Sequence, residues 1–233
     1  IRATQTLVQM AEGYKGKAKL EPVCIEDWPA FKLRGYMHDV GRSYIPAEEL
    51  VKQIELFSRF KVNTFHWHLT ENQAWRFEVK AYPALTSAES MTRFPGKYYT
   101  QEDCKAVMAA AKKHGVIVIP EIDMPGHSEA FKRAMGFDMQ SEEGKKVLKA
   151  ALDEVVQVFA DAPYIHIGGD EVSTTPAYLN EMIAYVESKG KKAGIWNPIN
   201  GISQNQLNAT LSQMWGTRGY AADGKANIDC RYN

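Results

Sequence analysis

Acids, histidines, an arginine and tryptophans recur in this chain just after short apolar runs, and the sharpest case is Gly168-Gly169-Asp170-Glu171. Successive strand residues face opposite ways, so two adjacent carboxylates can both address one site only where a strand has ended. The two glycines before them let the backbone bend and approach a ligand closely. Side by side, the carboxylates repel. Repulsion raises at least one pKa and helps a carboxyl stay protonated near neutrality, as a general acid must. The plain structural alternative makes Asp170 the N-cap of the next helix and Glu171 a first-turn acid.

Three further runs have the same character: His38-Asp39-Val40-Gly41-Arg42, His66-Trp67-His68-Leu69-Thr70-Glu71-Asn72-Gln73, and Glu121-Ile122-Asp123-Met124-Pro125-Gly126-His127-Ser128. Taken singly each is weak, because a strand-end Asp is often a helix cap and a strand His is more often a satisfied core residue. Together they crowd titratable groups onto what becomes one rim if all four runs follow parallel strands. In a parallel barrel the active site lies at the carboxyl ends of the strands.

The elements that would position these groups alternate along the chain. Strands are predicted at Leu33 to Met37, Thr64 to Leu69, Val116 to Ile122, Tyr164 to Ile167, Ala193 to Trp196, Leu211 to Trp215 and Asn227 to Cys230. Helical patterns lie between most of them. Pro46 to Phe60 opens with Pro and the first-turn acids Glu48 and Glu49, and carries Leu50, Ile54 and Phe57 on one face. Thr100 to His114 has a capping-box layout with Asp103 in the acidic slot and Gly115 as its stop. Ser141 to Phe159 and Pro176 to Lys189 follow. Strand and helix in alternation imply a parallel sheet, and strands this apolar suit a sheet covered on both faces. The fold class is therefore α/β, a (β/α)8 TIM-type barrel of which about seven strands are present.

Residues 1–30 stand outside the series. Arg2 to Gly13 has helical spacing, and Lys15 to Pro29 reads as a polar linker, so this stretch is expected to be the last element of a preceding domain. Residues 31–233 are then the barrel, which would be the catalytic unit if the strand-end groups form a site. Such a barrel typically needs roughly 250 residues, and Asn233 follows closely on the seventh candidate strand, so the closing part is expected to be missing.

Composition narrows the function classes. Lys+Arg and Asp+Glu are both 28, so no basic footprint for nucleic acid or an anionic membrane stands out. No apolar run approaches the roughly 18 residues of a membrane helix, and Ile1-Arg2-Ala3 does not open a secretory signal. Cys24, Cys104 and Cys230 form neither a CxxC pair nor an even framework, and read as free thiols filling space.

Arg34-Gly35 with Asp39 and Arg42, His66-Trp67-His68-Leu69-Thr70, Pro125-Gly126-His127 and His166-Ile167-Gly168-Gly169-Asp170-Glu171 closely resemble, in order and spacing, the family-20 glycoside hydrolases, the β-N-acetylhexosaminidases. The resemblance runs from about Leu33 to the C-terminus, and Arg2 to Gly13 resembles the end of the small domain that precedes the barrel in that family. It implies exo-hydrolysis of terminal non-reducing N-acetylglucosamine or N-acetylgalactosamine by a retaining mechanism in which the substrate's own 2-acetamido oxygen replaces an enzyme nucleophile. Glu171 then matches the general acid/base, and Asp170 the residue that orients the acetamido group and stabilises the charged intermediate. Arg42 matches the arginine that holds sugar hydroxyls, with Asp39 as its partner. His127 matches a histidine linking an acid to Glu171. That acid is usually Asp in the family and is Glu71 here. Trp196 and Trp215 match pocket-wall tryptophans, and His166 supports the catalytic strand. Tyr232 and Asn233 lie near the place of further pocket residues and are not assigned a role.

The resemblance also implies a glycan as the binding partner, no cofactor, and a periplasmic, secreted or lysosomal setting. Two other readings stand beside it. Glu121, Asp123, Asp170 and Glu171 could ligate a divalent cation, although that leaves Arg42 and the tryptophans unexplained. The chain could also be a truncated piece with no turnover.

Overall fold

The computed structural model describes residues 2–13 and 22–231. Seven strands form one sheet: β1 Gly35–Asp39, β2 Thr64–His68, β3 Ile117–Glu121, β4 Tyr164–His166, β5 Lys192–Asn197, β6 Leu211–Met214 and β7 Ala226–Asp229. They pair in sequence order and every pair is parallel. The helices are α1 Arg2–Gly13, α2 Ala47–Arg59, α3 Gln101–His114, α4 Glu129–Met135, α5 Glu142–Val158 and α6 Pro176–Ser188. The (β/α) barrel architecture expected from the alternation is therefore present with seven strands. A cavity of about 870 Å³ opens between β1 and β7, reaching His66, Ile119 and Gln213 in the interior.

Local chemistry accounts for the helices. Thr100 and Asp103 form the reciprocal capping box at the start of α3, and Gly115 ends it in the left-handed conformation. Ser141 and Thr175 accept backbone N–H bonds at the starts of α5 and α6. In α5 the buried Val147, Leu148, Ala151, Leu152, Val155 and Val158 follow the three- and four-residue spacing of one face. Two details differ from expectation. The first strand begins at Gly35 rather than Leu33. The third run leads into α4, a short helix that its glycine and proline content masked. Of the three cysteines, Cys104 is buried in the core whereas Cys24 and Cys230 are exposed, so space-filling explains only the first.

All five residues of β2 are buried, as a strand covered on both faces requires. Phe65 and Trp67 face the helical layer, where Trp67 meets Tyr99 and Phe159 edge-on. His66 and His68 face inward to Glu121. No residue of α1 is buried. Arg2 reaches the Gly115 carbonyl at 2.9 Å and Gln9 the Arg59 carbonyl at 2.6 Å. Of the linker expected at Lys15 to Pro29, residues 15–21 lie outside the described residues, as do Tyr232 and Asn233.

Candidate active site

The sheet register aligns the rim. Asp39 pairs with His68, His68 with Glu121, Glu121 with His166, and His166 with Gly194, so equivalent strand ends sit side by side. β4 stops at His166, and Gly168 (φ 71°) and Gly169 (φ 104°) turn the chain so that Asp170 and Glu171 leave the strand together. Gly168 could not carry a side chain here, because a Cβ would lie 1.8 Å from Asp123 Oδ1. Helix α6 begins at Pro176 under a Thr175 cap, so neither Asp170 nor Glu171 caps it. The structural alternative for the acid pair therefore fails.

The two acids have unequal surroundings. The Asp170 side chain is 10% exposed and that of Glu171 54%. His127 lies between them and Glu71: its Nδ1 is 2.7 Å from Glu71 Oε1, and its Nε2 is 3.4 Å from Glu171 Oε2 and 3.9 Å from Asp170 Oδ1. The contact with Glu71 dominates the proton affinity of His127 and raises its pKa to about 9. Burial alone would raise the Glu71 carboxyl. His127, the Asn72 N–H and Arg42 outweigh burial and hold it below the usual carboxylate range. Burial, with the charge of Glu121, pushes Asp170 up to about 6 against the opposing pull of His127.

Arg42 bridges two acids. Its Nη1 is 2.7 Å from Asp39 Oδ2, its Nη2 pairs with Glu71 Oε1, and its own N–H donates to Asp39 Oδ1 at 2.9 Å. Asp39, Arg42, Glu71, His127, Asp170 and Glu171 thus form one continuous network. The Arg42 side chain remains 45% exposed.

The tryptophans divide. Trp215 is partly exposed just beyond β6 and donates to the Pro198 carbonyl at 3.2 Å, which leaves its ring at the rim. Trp196 is 6% exposed, stacks on His66, meets His166 edge-on, and donates its indole N–H to Glu121 Oε1 at 2.7 Å. Trp196 is therefore first a core residue of the rim. His166 is wholly buried, with Nδ1 3.1 Å from Glu121 Oε1 and accepting the Gly168 N–H at 3.1 Å, which ties the end of β4 to the interior.

Glu121 is the hub beneath this rim. It is fully buried and meets His66 Nε2 at 2.7 Å, His68 Nδ1 at 2.6 Å, His166 and Trp196. Burial opposes its charge, but the three histidines prevail and hold its carboxyl well below the usual range. His68 is driven the other way, to about 10, because the Glu121 charge overcomes the effect of burial. Asp123 is also fully buried, with burial and the charges of Glu121 and Asp170 raising its pKa well above normal. Its Oδ1 accepts the Gly169 N–H at 3.2 Å.

The structural roles of Glu121, His68 and Asp123 were not assigned from sequence. The alternation of Thr64, His66 and His68 on one strand face was the available signal. As a metal site the set Glu121, Asp123, Asp170 and Glu171 does not assemble. Among the described residues, Asp123 groups with His127 and Asp170, and separately with His68 and Glu121, while Glu171 joins neither group.

Residues 31–142 match the family model described as glycosyl hydrolase family 20, catalytic domain. The chain is 37% identical over 201 residues to a β-hexosaminidase of Porphyromonas gingivalis, covering 72% of this chain and 26% of that protein. It is 33% identical over 208 residues to a β-hexosaminidase of Vibrio furnissii, covering 74% and 34%. It thus spans only about a quarter to a third of these curated relatives. Among solved structures, a β-N-acetylhexosaminidase from Bacteroides fragilis superposes with a TM-score of 0.79 at 32% identity, covering 92% of this chain and 51% of that one. An exo-β-N-acetylglucosaminidase from Vibrio harveyi, solved with N-acetylglucosamine, superposes at 0.76 with 26% identity, covering 92% and 43%. With the four strand-end motifs set on one parallel barrel rim, the chain belongs to glycosyl hydrolase family 20 and carries part of its catalytic domain.

Proposed function

We propose that this protein removes terminal non-reducing N-acetylglucosamine or N-acetylgalactosamine from glycans by retaining, substrate-assisted hydrolysis. One observation carries the reading: His127 stands between Glu71 and the adjacent acids Asp170 and Glu171, which differ sharply in exposure. Glu171, the exposed member, protonates the leaving glycosidic oxygen as the C1–O bond breaks. The acetamido carbonyl oxygen of the substrate bonds to C1 on the other face and forms an oxazolinium ion. Asp170 accepts the acetamido N–H and stabilises the positive charge, which requires its carboxylate form. Glu171 then takes a proton from water, whose oxygen attacks C1 and reopens the ring with retention.

In this reading Arg42, braced by Asp39 and Glu71, binds sugar hydroxyls through its planar set of donors. His127 and Glu71 hold Glu171 in place, and Trp215 packs against the sugar ring. Trp196 and His166 act from beneath, through Glu121. The partner is a glycan, and residues 1–30 are read as the tail of a preceding small domain. No helix among the described residues is long and apolar enough to cross a membrane.

The test is an assay of the full-length protein, with this chain beside it, on a 4-nitrophenyl N-acetyl-β-glucosaminide and on an alkyl glycoside with a poor leaving group. Glu171→Gln is expected to slow the alkyl substrate by roughly 10²–10⁴-fold, the usual worth of a general acid, and the activated substrate less. An unchanged rate on the alkyl glycoside would remove Glu171 from the acid/base role. Chelator-sensitive turnover would favour the metal-dependent alternative.

A further inference from the structure

Arg76 is completely buried, and its guanidinium is surrounded by carbonyls rather than carboxylates. Nε donates to Val40 O at 2.9 Å and Nη2 to Gly41 O at 3.2 Å. Its other bonds run to a different segment: Nη2 to Arg93 O at 2.8 Å, and Nη1 to Phe94 O at 3.0 Å and Lys97 O at 2.6 Å. Tyr44 and Phe94 lie over the guanidinium at 5.7 and 5.9 Å. The backbone of Arg76 is itself fixed, donating to Leu69 O at 2.9 Å and accepting from Tyr99 N at 2.7 Å.

Val40 and Gly41 are the two residues before Arg42. Beyond them, Arg93 Nη1 donates to Arg42 O at 3.1 Å, and Asp39 Oδ1 accepts the Arg42 N–H. Three consecutive carbonyls of this turn are thus held by arginines. Gly41 also rests against Glu71, where an added Cβ would lie 2.4 Å from the Glu71 Cβ. The backbone that presents Arg42 is clamped from both sides while the Arg42 side chain stays 45% exposed.

We infer that Arg76 is a positioning residue for substrate binding, clasping the turn that carries Arg42 to the segment 93–97 so that Arg42 meets the sugar already oriented. The inference rests on the hexosaminidase reading above. A flexible Arg42 turn would have to be ordered by each substrate, at a cost in affinity, and a prealigned one avoids this. Only a planar fork with five donors reaches both segments at once. Lysine, a point charge with three donors, would satisfy one of them. Burial lowers the Arg76 pKa only to about 10, so the group stays charged at neutral pH and the carbonyl cage replaces its water.

The test compares Arg76→Lys, Arg76→Ala and Arg93→Met in the full-length protein, measuring kcat and KM on the 4-nitrophenyl substrate and amide hydrogen exchange. Arg76→Lys is expected to raise KM about tenfold with a smaller change in kcat, and to speed exchange in residues 40–43 and 91–97 while α5 stays protected. Millimolar guanidinium is expected to lower the KM of Arg76→Ala. Arg93→Met, a change at an exposed side chain, should raise KM by about threefold without lowering the melting temperature. An unchanged KM in folded Arg76→Lys and in Arg93→Met overturns the inference, as does exchange that rises equally throughout α5 and α6. If the unsubstituted protein does not act on the acetamido sugar, the hexosaminidase reading falls instead. The exchange pattern then still decides whether Arg76 clamps the two segments.

Discussion

At Asp170 the surrounding protein removes water, and one residue later at Glu171 it does not; in the proposed mechanism this difference divides the work of two neighbouring carboxyls. Asp170→Asn is expected to reduce turnover of acetamido sugars by roughly 10²–10³-fold, the scale of one hydrogen bond aimed at developing charge. Any residual action on a simple glucoside should fall much less. Equal losses on both substrates would argue against participation of the acetamido group. His127 makes a prediction in pH. Its folded pKa, about 9, lies above the ordinary 6.5, so its pairing with Glu71 contributes stability that is fully present below pH 6.5 and lost as pH rises through about 9. The melting-temperature gap between the wild type and His127→Gln should accordingly narrow across that window. A gap independent of pH would mean that the imidazole is not held protonated in the folded protein.

At the scale of elements, the turn after β4 matters more than the strand itself, which has three residues. Gly168 adopts φ 71° against the Asp123 carboxylate, whereas Gly190, at φ 78°, has nothing within 4 Å of the place a Cβ would take. Gly190→Ala should therefore cost about 1–2 kcal/mol, the left-handed penalty alone. Gly168→Ala adds a clash with a buried group and should be more destabilising and nearly inactive. Equal melting temperatures for the two variants would show that the strand end is not confined by Asp123. The order of strands and helices was legible in the sequence because apolar periodicity and end signals such as Thr100, Asp103 and Gly115 are local. The short helix α4 was not, since Pro125 and Gly126 just before it read as loop.

For the whole molecule, Glu121 is where β2, β3, β4 and β5 meet chemically, through His66, His68, His166 and Trp196. Removing one partner of a buried charged set leaves the others unpaired, so Glu121→Ala should destabilise the fold by about 3–5 kcal/mol. Denaturant midpoints would measure this, and a loss below about 1 kcal/mol would show that the histidines find other partners or water. A polar interior of this kind also explains how the barrel buries His66, His68, Glu121 and His166 beneath its rim. The groups solvate one another, and the helical layer excludes water behind them.

The alternation of elements, the four strand ends and the adjacency of the two acids were legible along the chain, because each depends on residue type and on near neighbours in sequence. The sequence also carried the family. Tertiary structure alone decided which groups touch. His127 reaches Glu71 and Glu171 across three strand ends, and Arg76 joins Val40 and Gly41 to residues 93–97. Trp196 turned out to serve Glu121 before any sugar, since a ring at a strand end can face either the core or the opening. Burial and distance fix proton affinity, and both are properties of contacts between residues remote in sequence. Asp170 and Glu171 therefore acquired their different environments only when the barrel formed around them.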